Sequence, residues 1–277
     1  MYHPAASLNR QPSTLDQPPF AVMGLSSKQL ASAKIRVVTR GDIICEPGTP
    51  EIVGYVVRGT VKLVTFMPDG RTNIVGVIEA PGFFGRIFGI SPEFTIEAAT
   101  DAVVACFNRR SFEAQLSESR ELEHLIHMEN LYQLDEAYER ITVLACQSMM
   151  ERLATYMVLR LVATEARSGR SASPVIDVPI NRRDFAAYLG TTVETVSRNI
   201  QSLVRRGTIG VIDSGNFRLL RRSDLFVIAG QDQEDLLEMA RSRAPAQRKK
   251  AGFYNAAIST HVVGRDRGGN HDLVAAE

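Results

Sequence analysis

The chain has 277 residues and a net charge of +1, with 44% hydrophobic and 23% charged residues, so it can bury one large core or two smaller ones. No apolar run approaches the roughly 18 residues of a membrane-spanning helix, and the N-terminus lacks a signal-peptide core, which predicts a cytoplasmic protein. The 3 cysteines, Cys45, Cys106 and Cys146, show no C-x-x-C spacing and therefore predict neither a disulfide framework nor a zinc site.

Charge is distributed unevenly along the chain. Residues 111–166 contain ten Asp or Glu and four Arg, a net of minus six. Residues 175–222 contain eight Arg and four Asp or Glu, a net of plus four. An acidic section of helical composition therefore precedes a basic one.

The N-terminal half of the chain predicts a flexible tail followed by a β domain. Residues 1–25 are rich in Pro, Ser, Gln and Asn, which predicts a tail. Within 26–118, short runs of Val, Ile, Thr and Phe alternate with glycines and turn pairs such as Asp69-Gly70 and Pro81-Gly82. This alternation predicts a small antiparallel barrel or jelly roll, and hence an α+β protein.

Residues 119–146 predict one long helix. Apolar residues recur there at steps of three and four, which places them on one face. We call this face the apolar stripe; it consists of Leu131, Leu134, Tyr138 and Ile141. With acidic and basic residues between them, the stripe resembles a coiled-coil seam that faces either the barrel or a second copy of the chain.

Residues 147–229 predict a DNA-binding domain. A helix over about 148–166 is followed by two shorter helices, the first capped by Asn181 and ended by Gly190, the second capped by Thr192. Two short helices joined by a glycine turn form a helix-turn-helix. The segment GTIGVIDSGNFRLL, residues 207–220, predicts a two-stranded wing that follows it.

Four residues at the start of the second short helix avoid its buried stripe: Val193, Glu194, Ser197 and Arg198. Helix-turn-helix proteins insert this end of the helix into the major groove. There a guanidinium can bond guanine O6 and N7, a carboxylate can accept from cytosine N4, and a valine can contact a thymine methyl. Seen alone, the same residues would also suit a solvated helix face with an i,i+4 ion pair.

The barrel, the long helix and the segment LGTTVETVSRNIQSLVRRGTI together resemble the transcription regulators of the catabolite activator and fumarate-nitrate reduction regulator superfamily, CRP/FNR. The similarity extends over about 34–225. Val-Glu-Thr-Val-Ser-Arg is similar to the FNR and FixK branch, in which Glu, Ser and Arg read a TTGAT half-site. The resemblance implies that Glu194, Ser197 and Arg198 read bases.

The same resemblance implies weaker expectations for other residues. Thr192, Arg182 and the wing residue Arg218 are expected to contact phosphates, which fix position without reading sequence. The apolar stripe is expected to join two copies, and barrel loops to contact RNA polymerase. The resemblance further implies activation of genes for low-oxygen, nitrogen-oxide or related metabolism through a TTGAT-N4-ATCAA-like palindrome.

The expected effector site departs from the family pattern. Cyclic-nucleotide binders carry Phe-Gly-Glu followed by Arg-Ser or Arg-Thr, whereas this chain has Arg86 at the Glu position and Phe94-Thr95 near the Arg position. A buried phosphate would lack its main counter-charge. Residues 1–44 contain no cysteine, which argues against an iron-sulfur sensor. We therefore predict no cofactor, while His124 and His127 leave haem open.

Three alternatives compete with a regulator that reads DNA without an effector. An effector-gated regulator using a small molecule or haem remains open. A jelly-roll metalloenzyme needs His and carboxylate ligands inside the barrel, but residues 34–107 contain no His, so we predict that the chain is not an enzyme. A module that binds a protein partner through the acidic helix leaves the base-reading residues unexplained. Residues 230–277 predict a short helix and a disordered tail.

Overall fold

The computed structural model describes residues 32–48, 52–68, 70–88, 94–168 and 175–230. The predicted N-terminal tail, and the predicted C-terminal segment from residue 231 on, lie outside the described residues. Across the described ranges, no helix is both long and apolar enough to cross a membrane.

The barrel consists of two antiparallel four-stranded sheets. Its strands are β1 (Lys34–Val38), β2 (Ile43–Cys45), β3 (Ile52–Arg58), β4 (Thr60–Phe66), β5 (Thr72–Glu79), β6 (Gly82–Phe84), β7 (Thr95–Ala98) and β8 (Ala102–Asn108). One sheet has the order β1-β8-β3-β6 and the other β2-β7-β4-β5. The predicted α+β fold with an N-terminal jelly roll is confirmed.

Two hydrophobic clusters flank the first sheet, because successive side chains of a strand point to opposite faces. Phe84 joins the cluster between the two sheets, together with Ile96 and Val104. Its neighbour Phe83 joins the cluster on the outer face, where Phe112 also packs. The outer cluster fixes the helices that follow the barrel.

The helices of the acidic section are α1 (Arg109–Glu118), α2 (Arg120–Ala145) and α3 (Met149–Ser168). The first half of α2 packs on the barrel through Leu122 and Ile126, which are nearly fully buried. The second half carries the apolar stripe, whose four side chains remain 45–61% exposed. In one copy of the chain the stripe therefore does not face the barrel.

The C-terminal domain consists of β9 (Val175–Asp177), α4 (Arg182–Tyr188), α5 (Val193–Arg205), β10 (Ile209–Val211), β11 (Asn216–Leu219) and α6 (Arg222–Ile228). The predicted two-stranded wing is present as β10 paired with β11, and β9, which the sequence did not predict, adds a third strand in the order β10-β11-β9. Ile176 of β9 lies opposite Phe217 of β11, and both side chains are fully buried. Burial of this pair accounts for the extra strand.

Candidate DNA-binding interface

Helix α4 begins and ends where its sequence predicts. The Asn181 side chain accepts from the backbone N–H groups of Arg183 and Asp184, at 2.9 and 3.0 Å. These bonds satisfy donors that have no partner within the helix. At the other end Gly190 adopts φ +68°, a left-handed conformation that glycine enters without steric cost. The chain can therefore turn sharply into the next helix.

Helix α5 has one buried face and one open face. Val196, Ile200 and Leu203 are buried in the domain core, and the Thr192 hydroxyl caps the helix by accepting from Thr195 N at 3.2 Å. Glu194 is exposed on the opposite side. The predicted second helix of the helix-turn-helix, its cap and its buried stripe are therefore present.

The four predicted base-reading residues differ in exposure. Glu194 and Arg198 are exposed, whereas Ser197 is half-buried. Val193 is half-buried and packs partly against the domain core, so only part of its side chain is open to a thymine methyl. The structure thus brings all four to one end of α5, with the two charged groups the most accessible.

Glu194 is held in its charged form. Its own backbone N–H, the Thr192 hydroxyl and, more weakly, Arg198 lower the pKa of the Glu194 carboxyl below its usual value. A carboxylate has no proton to donate and only accepts hydrogen bonds. The group is therefore suited to a base-edge donor such as the cytosine amino group.

The wing lies beside α4 and supplies further polar groups. Asp213 Oδ1 accepts from the backbone N–H groups of Gly215 and Asn216, both at 2.8 Å, and this closes the turn between β10 and β11. Arg218 is exposed on β11, as a phosphate contact requires. Arg182 is partly committed elsewhere, because it donates to Ser214 O at 3.0 Å and lies over the Phe217 ring.

Ion pairs join this domain to the barrel, and sequence reasoning did not find them. Lys62 of β4 is buried, and its Nζ lies 2.8 Å from Asp184 of α4 and 2.8 Å from Glu97 of β7. Arg160 of α3 donates to Asp177 O at 2.9 Å and pairs with Glu79 of β5. Lone charged residues in separate elements carry no sequence signal that pairs them.

The departures at the expected effector site are also visible in the structure. The Arg86 side chain is exposed, whereas Phe94 packs against the cluster between the sheets and Thr95 is buried. A core-packing aromatic and a small buried hydroxyl thus occupy the place where the family pattern has a cation. Neither of these two described side chains provides a charged partner for a buried phosphate.

The other candidate sensor residues differ in exposure. His124 and His127 are exposed on α2, while Cys106 and Cys146 are buried and Cys45 is half-buried. Burial raises the pKa of the Cys106 thiol, which disfavours a reactive thiolate. Within the described part of the chain, no group of three or more His, Cys, Asp or Glu side chains is placed to hold a metal ion.

Comparison with known proteins agrees with this architecture. Residues 35–119 match the family model of the cyclic nucleotide-binding domain, and residues 151–226 match that of the Crp-like helix-turn-helix domain. A probable transcriptional activator of Rhizobium leguminosarum bv. viciae is 37% identical over 177 residues, which cover 64% of this chain and 72% of the relative.

A nitrogen fixation regulation protein and the solved structure of FixK2 are similar as well. The nitrogen fixation regulation protein FixK of Bradyrhizobium diazoefficiens is 31% identical over 163 residues, which cover 58% of this chain and 67% of that protein. The structure of FixK2 from Bradyrhizobium japonicum has a TM-score of 0.62 at 27% identity and covers 72% of this chain and 98% of that one.

Proposed function

Because the chain belongs to the CRP/FNR family of transcription regulators, we propose that it binds DNA as a homodimer at a TTGAT-N4-ATCAA-like palindrome. Its relatives include a probable transcriptional activator and the transcriptional activator protein FnrL, and this chain is an activator of the same kind. The proposal covers the palindrome, the dimer and the genes that the dimer controls.

The observation that carries the proposal is the open face at the start of α5. Glu194 and Arg198 project into solvent from the first turns of the helix, with Ser197 between them. Opposite them, Val196 and Ile200 anchor the helix in the domain core. A rigid helix that presents an acceptor, a hydroxyl and a guanidinium can match several base edges at once.

The apolar stripe supports the dimer. Four large apolar side chains stay roughly half exposed along one face of α2, and such an exposed patch is typical of a protein interface. A twofold axis along the stripe would place the two α5 helices in successive major grooves about 34 Å apart. Phosphate contacts by Thr192, Arg182 and Arg218 would then hold the register.

Other parts of the proposal follow from the family and not from the geometry. From the family we expect contact between barrel loops and RNA polymerase, a role in low-oxygen or nitrogen-oxide metabolism, and action in the cytoplasm. The main alternative is a regulator whose DNA binding depends on an effector. Phe94 and Thr95 stand near the position where the family pattern has an arginine, which argues against a cyclic nucleotide as that effector.

A binding titration tests the proposal. Ligand-free protein is titrated on a TTGAT-N4-ATCAA duplex, on a TGTGA-type palindrome and on random DNA, all at one fixed near-physiological salt concentration. We expect a preference of about a thousandfold or more for the first duplex over random DNA. Equal weak binding to all three would contradict the proposed specificity.

A further inference from the structure

The C-terminal end of α4 has more carbonyl groups than the helix itself can satisfy. The last carbonyls of any α-helix lack an intrahelical donor. Here Thr191 N donates to Ala186 O at 2.9 Å and Gly190 N to Ala187 O at 3.3 Å, the two bonds of a Schellman motif. The carbonyls of Tyr188 and Leu189 remain, and they need donors from outside the helix.

Two arginines from other helices supply those donors. Arg152 of α3 donates through Nη1 to Leu189 O at 3.0 Å. Arg140 of α2 donates through Nη2 to Tyr188 O at the longer distance of 3.5 Å, and its guanidinium lies over the Tyr188 ring, 5.3 Å from the centroid. A positive charge at this end of a helix is also favourable, because the helix dipole is negative there.

Arg152 also holds the end of the long helix. Its Nη2 donates to Leu144 O at 3.2 Å and to Cys146 O at 3.4 Å, the carbonyls where α2 ends. One guanidinium therefore bridges the last turn of α2 and the turn of the helix-turn-helix. A Cβ on Gly190 would lie 3.9 Å from Arg152 Nη1, so the glycine turn passes directly beside the bridge.

From these contacts we propose that Arg152, assisted by Arg140, is a positioning residue that fixes the recognition helix α5 relative to α2. Only three residues separate Leu189 from Val193, where α5 begins. If α2 carries the dimer axis, the bridge determines how far apart the two α5 helices lie. Arg152 then determines which spacer length between half-sites the protein accepts, an inference that rests on the proposed function.

Arginine is suited to this role in a way that lysine is not. Its planar guanidinium presents five N–H donors in a fixed fork, so one side chain can bond three carbonyls from two elements. A lysine ammonium is a single point on a flexible stem, and it cannot reproduce that geometry. Arg152→Lys keeps the charge and loses the bridge, which makes it the informative variant beside Arg152→Ala.

The first readout is hydrogen exchange of the DNA-free protein, which requires neither dimer nor palindrome. In Arg152→Ala we expect the amides of Gly190 and Thr191 to exchange about tenfold faster, since hydrogen bonds to a charged group contribute on that order. Arg120→Ala is the matched control, because it removes an exposed arginine from the opposite end of α2. It should leave the exchange of these amides unchanged.

The second readout is binding to duplexes whose two TTGAT half-sites are separated by three, four, five or six base pairs. We expect wild type to discriminate against the wrong spacers about tenfold, and Arg152→Ala and Arg152→Lys to lose most of this discrimination while still preferring TTGAT to a scrambled half-site. Preference for the half-site shows that the variant is folded, so spacer discrimination isolates the positioning role.

The outcomes separate this inference from the proposed function. Unchanged amide exchange together with unchanged spacer discrimination in both variants would overturn the positioning role. A parallel loss of binding to every duplex would overturn it too, because that result indicates a general structural role. A wild type without preference for TTGAT would contradict the proposed function, and faster exchange at Gly190 and Thr191 would still support the bridge.

Discussion

The recognition helix and the β6–β7 segment of the barrel are the two places where the family resemblance locates molecular recognition, and this chain keeps the family pattern at the first and departs from it at the second. On α5 the charged side chains Glu194 and Arg198 stand in solvent. At the expected phosphate site Phe94 packs on the barrel core and Thr95 is buried. The same fold thus combines an exposed helix face suited to base reading with Phe94 packed on the barrel core where the family pattern has a cation.

The physical difference lies in what each site needs from the fold. An exposed recognition face requires only a stable helix beneath it, which Val196 and Ile200 provide. A buried phosphate site requires an arginine inside the barrel, and an unpaired buried charge is costly. When the ligand is not used, apolar packing at the interior site is favourable, whereas nothing in the fold requires the surface residues to change.

The largest expected effect comes from the apolar stripe, on which the proposed pairing of the recognition helices depends. Ile141→Asp together with Tyr138→Asp would place like charges across the proposed twofold seam, and we expect them to separate the copies. We expect cognate affinity to fall about 100-fold or more, because the two half-sites no longer bind as one unit. Sedimentation and DNA titration check both consequences.

The matched control for this change is Val37→Asp, which adds a charge to another exposed apolar residue, on β1 of the barrel. It should alter neither the oligomeric state nor the affinity for DNA. A stripe variant that remains dimeric and binds DNA normally would exclude the stripe as the seam.

The next effect is on the recognition face itself. Arg198→Ala should cost about 1–3 kcal/mol at the cognate site and little on random DNA. Arg205→Ala removes an exposed arginine from the far end of α5 and should weaken binding to both duplexes by a similar, smaller factor. An equal loss on cognate and random DNA for Arg198→Ala would mean that the residue only contacts phosphate.

At the barrel, we predict that a cyclic nucleotide has no effect on DNA binding or stability. Cyclic AMP at millimolar concentration should change neither DNA affinity nor the melting temperature, since a ligand stabilises only a state to which it binds. A shift in either quantity would show that Arg86 or another cation compensates for the missing arginine, and it would favour the effector-gated alternative.

Acidification tests the charge of Glu194. Because the pKa of this carboxyl is lowered, the group loses its charge only in more acidic solution than an ordinary glutamate does. Discrimination at the base that we propose Glu194 reads should therefore be constant from about pH 8 to about pH 6. If wild type lost this discrimination over that interval and Glu194→Gln did not, the result would show that the carboxyl titrates there.

The resemblance to the CRP/FNR family and the prediction that the chain is not an enzyme are confirmed by its relatives. Local signals accounted for much of the fold: Asn181 and Thr192 cap their helices, and Gly190 ends α4 with φ +68°. These signals act over a few residues, which is why the sequence reveals them.

What the sequence did not reveal depends on contacts between distant segments. Strand β9 is only three residues long and is recognised by its pairing with β11. Lys62 and Asp184 lie 122 positions apart in the chain, and Arg152 bonds carbonyls, which every residue has. Neither contact leaves a pattern in composition or periodicity, so only the folded structure shows them.

The most direct test of base reading is a double-mutant cycle between Arg198 and the guanine of TTGAT. Wild type and Arg198→Ala are each titrated on the palindrome carrying guanine or 7-deazaguanine, which lacks the N7 acceptor, at that position of both half-sites. If Arg198 reads this guanine, the altered base weakens wild type by about 1–3 kcal/mol and Arg198→Ala hardly at all. Equal losses for the two proteins would contradict the account.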